Sequence, residues 1–126
     1  MNDLVLHPAL DTVLAIHAEL VATHGGSPAL RSRELLESAL AAPQAMPMAD
    51  PLEIAAAYLF FLCHNDVFID DSKSVALTTC LVFLSENGLL ESEDLDEDAW
   101  EKLTLGTAAG VLSRDEVTQQ LRSLVS

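Results

Sequence analysis

The chain has 126 residues and a mass of 13.5 kDa, which fits one domain spanning 1–126 and leaves no room for a second. Half of the residues are apolar and 21% are charged, a balance that excludes intrinsic disorder. Twenty acids face six Lys and Arg, a formal net charge of −14, so nucleic acid is repelled unless basic residues cluster, and they do not.

A chain of this size hides about 65% of its unfolded surface on folding, enough for one core without a metal or disulfide staple. No apolar run approaches the roughly 18 residues of a membrane span. Met1 is followed by no charged-then-apolar leader, so the expectation is a cytoplasmic protein with no membrane partner. Cys63 and Cys80 both sit in apolar runs and read as buried, reduced thiols. His7, His17, His24 and His64 stand far apart, and none pairs with another ligand at zinc spacing.

Helical periodicity runs through every long segment, and convincing strand alternation is absent. Pro8 suits the first turn of an opening helix whose apolar stripe is Leu10, Val13, Leu14, Ile16, Leu20 and Val21, ended by Gly25-Gly26. Ser32 caps a short helix through Leu35, Leu36 and Leu40, stopped before Pro43, and residues 43–50 form a loop. Asp50-Pro51-Leu52-Glu53 combines a cap, a proline at the first helical position and an acid three residues on. The helix that follows, 51–64, is apolar nearly all round from Ile54 to Leu62, which predicts a place at the centre of the domain.

A polar break from Asn65 to Asp71 leads to a second apolar helix, Ser72 to Asn87, closed by Gly88. Residues 91–101 hold seven acids that cap and solvate the next helix, which runs through Trp100, Leu103 and Leu105 towards Gly110. Asp94, Asp96 and Asp98 have the alternate spacing of a calcium loop, but Ala99 stands where glycine is required and Leu105 where glutamate is. Ser113 with Glu116 opens a terminal helix through Val117, Leu121 and Leu124. The expectation is an all-α, compact six-helix bundle around a central apolar helix.

One segment stands out: Asp66-Val67-Phe68-Ile69-Asp70-Asp71-Ser72-Lys73-Ser74 joins two buried helices by a polar loop, where a scaffold can hold reactive groups rigidly. Phe68 and Ile69 are expected to anchor it. Ser72, Lys73 and Ser74 fall near the next helix's N-terminus, where free amides favour an anion.

Here the chain resembles the Fic/Doc family, particularly the short Doc (death-on-curing) toxins of toxin–antitoxin modules. His24-Gly25-Gly26-Ser27-Pro28, Leu35-Leu36-Glu37-Ser38-Ala39-Leu40 and Pro43-Gln44 look like the N-terminal half of Doc. Ala55-Ala56-Ala57-Tyr58, Ala76-Leu77, Phe83-Leu84 and Asn87-Gly88 look like the helices flanking its active loop. Leu105 to Gly110 and the terminal helix also match, so the likeness covers nearly the whole chain.

The family's loop reads H-x-F-x-D/E-x-N-K/G-R. Asp66 falls on its histidine; Phe68, as motif anchor, and Asp70 match; Asp71 falls on a small residue; Ser72 replaces the asparagine; Lys73 matches the Doc lysine; Ser74 replaces the arginine. The resemblance implies that the histidine position deprotonates a target hydroxyl, that Asp70 helps to hold magnesium, and that positions 72–74 cradle nucleotide phosphates. It further implies transfer of AMP from ATP or, in Doc toxins, phosphorylation of elongation factor Tu. With three polar positions substituted, the motif is degenerate. His64 lies two residues too early to replace the base, an offset predicted to point it elsewhere.

Besides an unrelated chemistry on the same scaffold, two readings stay open. In the first the protein is catalytically silent, needs no cofactor and binds an antitoxin-like protein or another protein target. In the second Asp66 serves as base, as an aspartate does in protein kinases, with Asp70 on magnesium and Lys73 on a phosphate of ATP. The oligomeric state is left open by both.

Overall fold

The computed structural model describes residues 5–27, 29–46, 50–65, 67–90 and 95–125. Six α-helices follow one another: α1 (Leu10–His24), α2 (Arg33–Gln44), α3 (Pro51–Asn65), α4 (Ser72–Glu86), α5 (Glu97–Ala108) and α6 (Arg114–Val125). Among the described residues the sole sheet-like pairing is an isolated antiparallel bridge between Leu30 and Phe68. No described helix is long and apolar enough to cross a membrane.

The helix starts follow from local side-chain chemistry. Ser32 Oγ accepts from the Leu35 amide at 3.1 Å, satisfying one donor that the first turn of α2 leaves open. At α3, Asp50 Oδ1 accepts from the Leu52 and Glu53 amides while Glu53 Oε1 accepts from the Asp50 amide, a reciprocal box. Ser113 and Glu116 build the same box before α6. Asp96 caps α5 through the Ala99 amide at 3.1 Å, which gives that acid a structural role. Asp94 lies outside the described residues.

Two boundaries differ from the periodicity. Pro8 precedes α1, whose N-cap is Ala9, so the proline is not a first-turn residue. Pro43 does not stop α2 but lies inside its last turn. A proline there removes one amide, and the Ala45 amide still closes the turn onto the Ala41 and Ala42 carbonyls. The expected 43–50 loop therefore begins two residues later; its Pro47, Met48 and Ala49 lie outside the described residues.

Helix α3 occupies the centre and packs against α2, α4, α5 and α6. Every side chain from Ile54 to Leu59 is buried, as its lack of a polar face predicts. Tyr58 meets Phe83 of α4 at a ring-centroid distance of 5.4 Å, and its hydroxyl hydrogen-bonds with His7 Nδ1 at 2.7 Å. Both cysteines are buried and reduced. On α1 the fully buried positions are Val13 and, unexpectedly, His17.

Arg122 of α6 reaches back to the Asp50 carboxylate at the head of α3. Burial works to raise the Asp50 carboxyl, but Arg122 and the Glu53 and Leu52 amides outweigh it and hold the group below the usual carboxylate range. A depressed folded value means that the associated stability is complete above the unfolded value near about 4 and is lost as pH falls through the folded one. Urea unfolding is thus expected to show Asp50→Asn less stable than the native chain at neutral pH, with the gap narrowing in acid. A constant gap across that range would show that the Asp50 charge contributes nothing.

Candidate functional site in the loop between α3 and α4

The loop is held from both sides. The Arg31 amide donates to the Val67 carbonyl at 2.8 Å and the Ile69 amide to the Ala29 carbonyl at 3.4 Å, which pairs the segment before α2 with the loop. Phe68 is 1% exposed and stacks on His17 with ring centroids 4.0 Å apart. His17 Nε2–H donates to the Asp70 carbonyl at 3.1 Å, so this buried polar side chain is satisfied by the loop it supports. Ile69 is 49% exposed and does not share the anchoring role expected of it. Val67 and Phe68 are both buried, and the side chains leave the core only at Ile69.

Asp70 and Asp71 point to different partners. Asp70 Oδ2 accepts from the Ser27 amide at 2.7 Å, tying the loop to the end of α1. This close approach needs glycine next door: Gly26 has φ of 108°, and a Cβ there would lie 3.0 Å from Asp70 Oδ2. Asp71 is the N-cap of α4 in the left-handed conformation, φ 66° and ψ 19°, yet its side chain caps no amide. One of its oxygens lies 3.6 Å from His24 Nδ1, and the other is buried without a hydrogen-bond partner.

Ser72 does the capping-like work from the first position of α4. Its Oγ accepts from the Phe68 amide and donates to the Phe68 carbonyl, both at 3.0 Å. Lys73 and Ser74 complete the helix start, Lys73 exposed and Ser74 half-buried. Asp66 lies outside the described residues.

Residues 69–74 line a groove of about 650 Å³ with Cys63, His64, Ala108 and Gly110. His64 does belong to this groove, contrary to its offset in the sequence, because the end of α3 faces the loop it leads into. Its ring stacks on Phe60 at 4.1 Å. Burial pushes the Cys63 thiol up to about 12 despite the nearby Lys73, so at neutral pH it is a protonated thiol and no nucleophile. Among the described residues lining the groove, Asp70 and Asp71 are the acids and Lys73 is the sole ammonium. Among the described residues no three His, Cys, Asp or Glu side chains are placed to hold a metal ion.

The sequence profile of the Fic/DOC family matches residues 7–84, well over half of the chain, running from the start of α1 through the loop to the end of α4. The chain belongs to the Fic/DOC family. It is similar to the protein kinase doc of Escherichia phage P1, at 29% identity over 122 residues that cover 94% of each chain. The anchors that hold this Fic/DOC loop include two that sequence reasoning missed, His17 and Ser27. His17 was legible as a residue one helical turn from Val13 on the buried face; nothing local marked its partner.

Asp71 tests how much strain the loop carries. The left-handed region costs a non-glycine residue roughly 1–2 kcal/mol, and a buried unpartnered oxygen costs about 1–3 kcal/mol. Against these stand a solvent-screened approach to His24 and the extra backbone freedom that glycine regains on unfolding. Asp71→Gly is expected to raise stability by about 1 kcal/mol, or a few degrees in Tm. A fall of that size in thermal unfolding would show that the His24 contact outweighs the strain.

Proposed function

We propose that this Fic/DOC protein is catalytically impaired and acts by binding a protein partner, as a Doc-like member of a toxin–antitoxin type system. The carrying observation is the carboxylate of Asp71 at the N-terminus of α4, where free amides would otherwise receive a phosphate. The residues present do not fit magnesium–ATP. The Ser72 hydroxyl is engaged by the Phe68 backbone, Ser74 is too short to replace an arginine fork, and among the described residues lining the groove Lys73 is the sole ammonium beside two acidic residues. Losing a positioned base costs about 10²–10⁴ in rate, and each lost charge-assisted phosphate contact costs about 1.5–3 kcal/mol in binding.

A second reading has one observation in its favour, the similarity to a protein whose name is a protein kinase. In it Asp66 orients and deprotonates a protein hydroxyl, with Asp70 and Lys73 on the metal and phosphate sides, and the target resembles elongation factor Tu. Calorimetric titration with magnesium–ATP separates the two. No saturable heat at millimolar nucleotide is expected, whereas submicromolar affinity would favour the transferase. If transfer then occurs, Asp66→Ala abolishes it and His64→Ala leaves it nearly intact.

A further inference from the structure

Residues 5–9 precede α1 without forming a helix and are held at the far end of α4 from the loop. One side chain grips their backbone. Asn87 Oδ1 accepts from the Leu6 amide at 2.8 Å, and Asn87 Nδ2 donates to the Leu6 carbonyl at 2.9 Å and to the Phe83 carbonyl at 2.8 Å. The Asn87 amide thereby stands in for a neighbouring strand, satisfying both polar groups of one residue. Val5 packs against the core and Pro8 is buried, but Leu6 is 53% exposed.

The second tie is titratable. His7 Nδ1 lies 2.7 Å from the Tyr58 hydroxyl, and the His7 ring centroid is 5.9 Å from that of Tyr58 and 5.8 Å from that of Phe83. Burial pushes the Tyr58 hydroxyl up to about 12, and a hydrogen bond from the Gln44 side chain opposes this, as a donor to the phenol oxygen does. With Gln44 donating, the phenol gives its one proton to His7 Nδ1, which requires a neutral imidazole. A proton on Nδ1 would confront the phenol proton, and the phenol and the Gln44 amide would both have to reverse. Burial also lowers His7 below its ordinary value of 6.5.

The groups around His7 do not offset that burial. From α3 comes Tyr58, from α4 Phe83 and Asn87, and from α2 Gln44 and Glu37, the last two lining a cavity of about 350 Å³ with His7. Glu37 is the one carboxylate among the described residues of that cavity; it is exposed and paired with Arg33 at 3.3 Å.

We propose that residues 5–9 are an acid-released strap: a proton taken up on His7 frees the segment from Asn87, Tyr58 and Phe83 while the six helices stay folded. Release uncovers the Tyr58 and Phe83 side chains, both fully buried under the closed strap. A terminal segment with one exposed leucine and few apolar contacts opens at a fraction of the cost of global unfolding. In the open strap His7 faces water and titrates near 6.5, above its value in the closed one. Closure is therefore at full strength above that pH and weakens as pH falls through it, by at most about tenfold per pH unit for one proton. The device does not depend on nucleotide or partner binding at the loop.

Hydrogen exchange of the full chain, followed residue by residue by NMR, reads the strap at the Leu6 amide. Corrected for the intrinsic pH dependence of exchange, Leu6 protection is expected to fall about threefold or more between about pH 7.5 and about pH 5.5. The amides of Ala56 and Leu59 within α3 are expected to keep theirs. His7→Gln retains an acceptor for the Tyr58 hydroxyl but takes up no proton, so its Leu6 protection is expected to be the same at both pH values. Asn87→Ala opens the strap and is expected to bring the His7 ring back to titrating near 6.5; circular dichroism confirms that each variant keeps its helices.

Leu6 protection that stays constant in the native chain would overturn the proposal, as would an equal fall in His7→Gln. Parallel loss at Ala56 and Leu59 would mean acid unfolding of the whole domain and would overturn it too. So would an Asn87→Ala protein in which His7 titrates as in the native chain, since the burial of His7 would then not come from the closed strap.

Discussion

A protein carrying Asp66→His, Asp71→Gly, Ser72→Asn and Ser74→Arg together is expected to bind magnesium–ATP at least a hundredfold tighter than the native chain. The reasoning is one of contacts regained on an intact frame. Phe68 on His17, Asp70 on the Ser27 amide and the pairing of residues 29–31 with 67–69 involve none of the four substituted side chains. Ser74→Arg and Ser72→Asn each supply a phosphate contact, and a charge-assisted one contributes about 1.5–3 kcal/mol, or roughly tenfold to a hundredfold. Asp71→Gly removes the carboxylate from the head of α4 and suits the left-handed backbone there. One cost is built in: Ser72→Asn gives up the two bonds of the Ser72 hydroxyl to Phe68.

Because the four positions are neighbours, single changes are expected to do little and the combination more than their sum. Magnesium–ATP binding is measured first, then label transfer onto elongation factor Tu or onto the protein itself. A folded quadruple variant that still ignores nucleotide would place the loss in the surrounding groove rather than in the loop side chains.

The largest effect on stability is expected at Phe68. Its side chain is 1% exposed and fills the space between the loop and α1 against the His17 ring. Truncating a buried phenylalanine to alanine costs about 3–5 kcal/mol through lost transfer energy and the cavity left behind. That is a large share of the roughly 5–15 kcal/mol that holds a domain together. Phe68→Ala is therefore expected to lower the urea midpoint steeply, while Phe68→Leu, which keeps most of the volume, costs far less. A loss below 1 kcal/mol for Phe68→Ala would show that the loop is not part of the cooperative fold.

The caps of α2, α3 and α6 were legible because their bonds close within three residues, so the signal and its partner lie in one stretch of chain. The central place of α3 was legible for a related reason: a helix with no polar face has one stable environment. Pro43 was misjudged because a missing amide matters little in a last turn that the next residue closes. The loop motif, with Phe68, Asp70 and Lys73 in register, could be read residue by residue, but not what each side chain would touch. His17 meets Asp70 across 53 residues, and Ser27 meets it across 43. Ile69 is exposed, and His64 lines the groove, because the chain turns between α3 and α4 and pairs with the segment before α2. Composition and periodicity specify six helices and which of them is buried, since both depend on local geometry and on removal of apolar surface from water. The contacts that aim the loop's carboxylates depend on distant segments meeting in space, and those meetings arise from the packing of the whole bundle.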